Sequence, residues 1–177
     1  MRSKLRLIGL IMLLMIVTPV YPESVYQEPQ AFIEEAFENA PPKADKLWLT
    51  EDLKASVNDI LGHDMGVLRL RYWMKAGRTV WILEEIGKER PITTGFVVES
   101  NEIKKVKILI FRESRGWEVR YPFFTDQFTG ASLQGENLEL DRPIDGISGA
   151  TLSVSAVTRL ARVALLFHQH VTKGGSS

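Results

Sequence analysis

Between Gly66 and Phe111 the chain repeats one local pattern four times, and this repetition limits the fold more than any other feature. Leu68, Leu70 and Tyr72 alternate with Arg69, Arg71 and Trp73, a period of two that gives a strand one buried and one exposed face. Residues 79–86, 92–99 and 103–111 follow, each rich in Val, Ile and aromatic side chains that suit a pleated surface. Ala76-Gly77 and Ser100-Asn101 have turn chemistry, so neighbouring runs are expected to pair as antiparallel hairpins. Thr93-Thr94-Gly95 interrupts a strand with small residues, which predicts a bulge or a close approach to the backbone.

Helical periods flank these strands. After Pro29, Phe32, Ile33, Ala36 and Phe37 recur at helical spacing until Pro41-Pro42. Leu47-Trp48-Leu49 is short and apolar. Thr50 can cap a second helix, with Glu51 and Asp52 in its first turn and Gly62 as its terminator. His63, just beyond, is placed to act as a cation at that helix end. From Ser153 a last helix is expected, with Val157, Leu160, Ala161, Ala164, His168 and Val171 on one stripe and Arg159, Arg162 and Gln169 outside it. Residues 23–66 form an N-terminal helical segment, 67–173 the main domain and 174–177 a flexible tail. The fold class is α+β, a mainly antiparallel sheet with flanking helices.

Residues 1–22 stand apart. Arg2, Lys4 and Arg6 precede an apolar run from Leu7 to Val20. At ~1.5 Å per residue this run falls short of a ~30 Å bilayer core, as the apolar regions of secretory signals do. Val20-Tyr21-Pro22 stands where a small-residue cleavage site would be, so the segment reads as a signal peptide or a membrane anchor. Either reading places the domain outside the cytoplasm, periplasmic or anchored facing the periplasm. Without the three leader cations the chain has 19 basic against 22 acidic residues, a net charge of −3, and no Lys/Arg cluster to neutralise phosphates. Nucleic-acid binding is therefore disfavoured. The chain has no cysteine, which removes disulfides, thiol nucleophiles, thiolate metal sites and lipid-modified cysteine.

The chemistry concentrates in Asp145-Gly146-Ile147-Ser148-Gly149-Ala150-Thr151-Leu152-Ser153, directly before the last helix. Two glycines and small side chains let a backbone approach a bulky anion, and first-turn N–H groups can receive its charge. The same residues also suit a plain turn with a helix cap, the commoner use of such a loop. Glu84-Glu85 is not a paired-carboxylate site, because consecutive strand residues face opposite sides. His168 and His170 diverge by ~200° on a helix and make no metal site.

The frame Asp-Gly-x-Ser-Gly-Ala-Thr-x-Ser resembles the flavinylation motif of the FMN-binding domain family. That family includes the flavin-carrying subunits of the sodium-translocating NADH:quinone reductase and Rnf complexes. By this resemblance a flavin transferase moves FMN from FAD onto Thr151 as a phosphodiester, with Asp145, Gly146, Ser148, Gly149, Ala150 and Ser153 as the surrounding motif. The family often has Thr-Ser where Ser153-Val154 stands here. Glu113-Ser114-Arg115-Gly116 resembles the family's Glu-Thr-Pro-Gly loop, with Ser for Thr and Arg for Pro, and Phe124 to Phe128 its Phe-x-x-Gln-Phe segment. The resemblance implies a domain over 67–173 that binds FMN at Thr151, Ser148, Gly149, Ala150, Gly146, Asp145, Ser153, Glu113, Ser114 and Gly116.

Among Trp117, Tyr121, Phe123, Phe124 and Phe128, Trp117 is the first candidate to stack on the flavin ring. Arg112, Arg115 and Arg120 are candidates to favour its reduced anion. The expected role is an electron carrier, with a flavin transferase and a membrane-bound or periplasmic redox protein as partners. A flavin-dependent reductase of a small substrate and a flavin-free binding module are the alternatives.

Overall fold

The computed structural model describes residues 23–174; the leader and the last three residues lie outside them. The expected α+β architecture is present. Six strands, β1 (Ser24–Val25), β2 (Asp45–Trp48), β3 (Arg69–Lys75), β4 (Arg78–Ile86), β5 (Pro91–Glu99) and β6 (Glu102–Phe111), form one sheet in the order β1-β6-β5-β4-β3-β2. Every neighbouring pair is antiparallel. The β3–β4 and β5–β6 turns carry positive φ at both central residues, Ala76 (50°) with Gly77 (80°) and Ser100 (56°) with Asn101 (61°). That backbone twist matches the twist of the strands it joins. Residues 23–66 supply both edges of the sheet: β1 extends β6, and the short apolar run at Leu47 becomes β2 by pairing with Arg69–Tyr72.

Four helices accompany the sheet: α1 (Pro29–Ala36), α2 (Glu51–Leu61), α3 (Pro122–Thr125) and α4 (Thr151–Gly174). No helix among the described residues is long and apolar enough to cross a membrane. Thr50 caps α2 by accepting the Leu53 N–H at 3.3 Å, and Gly62, with φ +80°, ends it. On one face of the sheet, Phe32, Ile33 and Phe37 from the α1 region meet Val80, Val97 and Leu109 in a small core. The opposite face carries α2 and α4 over the larger core, which includes Trp81, Leu83, Ile92, Phe96 and Ile108.

Both features expected at Thr93-Thr94-Gly95 occur. The β5–β6 register shifts between Thr93 and Thr94, and a Cβ on Gly95 would lie 2.5–2.9 Å from the Phe32 ring. Glycine is required there because α1 rests directly on the strand.

The last helix begins at Thr151, two residues before the expected Ser153. Val157, Leu160, Ala161, Ala164 and His168 are buried as the period predicts, but so are Val154, Ala156, Val163, Leu165 and Phe167. The buried surface is wider than one stripe because the sheet, α2 and residues 117–140 all border α4. His168 Nδ1 lies 2.8 Å from Thr79 Oγ1, which also accepts the Trp81 indole N–H at 2.9 Å. Burial pushes the His168 pKa down.

Glu84 and Glu85 face opposite sides, as strand geometry requires. Glu84 accepts from the Thr93 hydroxyl at 2.5 Å, whereas the buried Glu85 meets Arg159 Nη2 at 3.0 Å and His63 Nε2 at 2.9 Å. His63 is therefore a partner of a buried carboxylate rather than a cap. Its Nδ1 also faces Asp64 O at 2.9 Å, so both ring nitrogens meet acceptors. The bond to the Asp64 carbonyl and then the Glu85 carboxylate hold its pKa above the ordinary value.

Candidate functional site

The site grows from the way the chain enters α4. Ile147 to Ala150 form a turn closed by the Ala150 N–H on Ile147 O at 3.0 Å, with Gly149 at φ +80°. A side chain in that conformation is strained, and glycine relieves it. Val154 N–H then donates to Ala150 O at 2.9 Å, the first bond of the helix. The N–H groups of Thr151, Leu152 and Ser153 belong to the first turn and have no carbonyl four residues back within the helix. Ala150, Ser153 and Val154 are buried, while Thr151 and Leu152 are exposed between them. The burial of Val154 accounts for an apolar residue at the place where the family often has a hydroxyl.

The loop after β6 packs against this entrance. Gly116 has φ +85°, and a Cβ there would lie 2.5 Å from Ser153 Oγ and 3.5 Å from Ala150 Cβ. The two segments that resemble family motifs thus touch. They are distant in sequence, and it is the packing of α4 along β6 and the residues after it that brings them together.

Glu113 fixes the other wall. Its Oε1 accepts from the backbone N–H groups of Lys88 (2.5 Å), Glu89 (2.6 Å) and Arg90 (2.9 Å), at the turn between β4 and β5. Burial raises its pKa, but the three donors outweigh burial and hold the carboxyl below its ordinary value. Lys88, Glu113, Ser114 and Arg115 then face Gly149 to Ser153 across a cleft of about 570 Å³. That volume lies in the ~300–1,000 Å³ range of small-molecule and cofactor sites.

The remaining expected residues sit around this cleft rather than in its lining. Asp145, Gly146 and Ser148 are exposed on the loop leading in. Gln127 positions that loop: its Oε1 accepts the Asp145 N–H at 2.7 Å, and its Nε2 donates to Phe123 O at 3.2 Å. Phe124 and Phe128, on either side of Gln127, are core residues with ring centroids 5.4 Å apart. Trp117 lies beyond Gly116, with its ring against Tyr121 at 5.7 Å and under Arg120 at 5.1 Å. Arg112 is held by Glu23 at 2.9 Å and by Thr93 Oγ1 at 2.9 Å, which leaves Arg115 as the one of the three arginines in the lining. Lys88 was not legible as a site residue, since only the β4–β5 hairpin carries it to the cleft.

The arrangement presents an exposed threonine hydroxyl at the start of a helix, with two cations opposite. Lys88, Arg115 and the first-turn N–H groups suit a phosphate. Among the lining residues the only carboxylate is Glu113, and its lowered pKa and bound oxygen make it a poor base for activating Thr151. No curated protein matches the chain. The family model of the FMN-binding domain matches residues 87–166, a stretch that runs from the β4–β5 turn into α4 and contains every residue lining the cleft. Residues 87–166, which build the cleft, are thus similar to the FMN-binding domain family.

Proposed function

We propose that the protein is an exported electron-transfer flavoprotein whose FMN is joined through a phosphodiester to Thr151 by a separate flavin transferase. The observation that carries this reading is the exposure of Thr151, between buried Ala150 and Ser153, at the lip of the cleft. In the attachment, the bond from Thr151 Oγ to phosphorus forms as the bond from that phosphorus to the AMP half of FAD breaks. AMP leaves, and the hydroxyl proton passes to a base of the transferase. Glu113 is poorly suited to that task, which supports an external enzyme. Lys88 and Arg115 then neutralise the phosphodiester and hold its end of the cofactor against α4.

The bound flavin supplies the electron chemistry, while the chain supplies position and electrostatics. Export rests on the leader sequence, and the redox partner is a membrane-bound or periplasmic protein. The test is in-gel flavin fluorescence after denaturing electrophoresis, with the protein exported from a host that has a flavin transferase. Fluorescence survives denaturation in the wild type and disappears in Thr151→Ala. A dark wild-type band, beside a labelled control substrate of the same transferase, removes covalent attachment.

A further inference from the structure

The first described residues run along the outer edge of β6. Ser24 and Val25 pair with Phe111 and Ile110, Glu23 Oε1 reaches Arg112 Nη2 at 2.9 Å, and the Tyr26 N–H donates to Leu109 O at 2.8 Å. The apolar run of the leader ends at Val20, so only Tyr21 and Pro22 separate it from this fixed edge. Even fully extended, a chain of that length reaches only about 10 Å.

The same edge carries a patch that the flavin reading does not use. The Arg120 guanidinium lies 4.6 Å from the Tyr26 ring centroid, 5.1 Å from that of Trp117 and 4.8 Å from that of Tyr121. Phe123 continues the row, 6.1 Å from Tyr121. Trp117, Tyr121 and Phe123 are 41%, 37% and 62% exposed, although Phe124 and Phe128 of the same segment are fully buried. Arg120 Nε is buried without a hydrogen-bond partner, and Nη2 donates to the Tyr121 hydroxyl at 3.0 Å. Rings with polar edges around an arginine match the chemistry of a lipid headgroup layer, where Trp and Tyr are enriched and a guanidinium meets phosphate.

We propose that the leader is retained as a membrane anchor and that the Tyr26, Trp117, Arg120, Tyr121 and Phe123 patch rests on the lipid–water interface beside it. The rings lie at headgroup level and Arg120 faces lipid phosphate. Gly116 joins this patch to Ser153, so the Thr151 cleft is carried at the bilayer surface. The lipid contact stands independently of the flavin; its consequence, a tethered ring beside a membrane-bound electron donor, rests on the flavin reading.

The test uses the full chain, produced without a flavin transferase and added to phosphatidylethanolamine/phosphatidylglycerol vesicles with or without brominated acyl chains. Trp48, 58% exposed on β2 at the opposite edge of the sheet, is the internal reference. Bromine quenches part of the tryptophan emission. Trp117→Phe loses most of that quenching, Trp48→Phe loses none of it, and Phe123→Ser weakens it with Trp117 in place. Near-UV circular dichroism confirms that each variant is folded. Equal quenching in Trp117→Phe and wild type, or no quenching at all, overturns the proposal; the latter would leave the patch to a protein partner. In-gel flavin fluorescence of the same chain made with transferase reads the flavin assignment separately.

Discussion

Replacing Gly116 by Ala probes the contact that brings the two motif loops together. The new Cβ would sit at φ +85°, which costs a non-glycine residue about 1–2 kcal/mol. It would also lie 2.5 Å from Ser153 Oγ, and overpacking of that kind costs about 1–3 kcal/mol. The lower entropy of an unfolded chain with alanine returns about 0.4–1 kcal/mol. The net expectation is a loss of about 2–4 kcal/mol, read from the urea midpoint at unchanged slope. Ser153→Ala removes the nearest atom but leaves the Ser153 Cβ position, 3.2 Å from the new methyl. The double variant should therefore recover the steric part, about 1–2 kcal/mol of coupling, while the backbone part persists. Covalent flavin yield should fall in Gly116→Ala and partly return in the double variant. If Gly116→Ala unfolds within about 0.5 kcal/mol of wild type, or Ser153→Ala brings no relief, the loop does not rest on the α4 entrance.

Two further expectations concern the frame. The His63 pKa is raised in the folded state, so its contribution is fully present below the ordinary value near ~6.5 and is lost as pH rises through the folded value. The stability gap between wild type and His63→Gln should shrink from about pH 5.5 to about pH 9, and a gap that widens would remove the Glu85 pairing. Gly95→Ala should cost about 2–4 kcal/mol by driving Phe32 off the sheet, with partial rescue by Phe32→Leu in thermal unfolding.

Strands β3 to β6 and helices α1, α2 and α4 were legible because each carries its own period, whereas β1 and α3 are too short to show one. The β3 to β6 runs alternate or are continuously apolar, and Thr50 and Gly62 mark the ends of α2 through local chemistry. What sequence could not give was the partner of each residue. Leu47 has too short a run to declare a strand, and it becomes one only because β3 offers its edge. His63 looks like a helix-end cation until β4 places Glu85 opposite it. In the site, Thr151 and the Gly116 loop were legible through the motifs they resemble, whereas Lys88 depends on a hairpin and on three N–H groups held by Glu113.

The geometry also bears on why a tether would be needed. Thr151, Leu152, Ser114 and Arg115 are all exposed, so the cleft is open to solvent along their side. Tight non-covalent sites bury most of their ligand, and an open polar cleft cannot recover the freedom a free flavin loses on binding. A phosphodiester changes the problem from affinity to local concentration, because the ring then cannot diffuse away. The cleft residues would then need only to orient the attached group, which two cations and a helix entrance can do. The same openness would leave a tethered ring accessible to a partner, as electron exchange requires. An enclosed pocket would hold FMN without a bond but would shield it from that partner; on this reading, exposure at Thr151 and covalent attachment are two sides of one requirement.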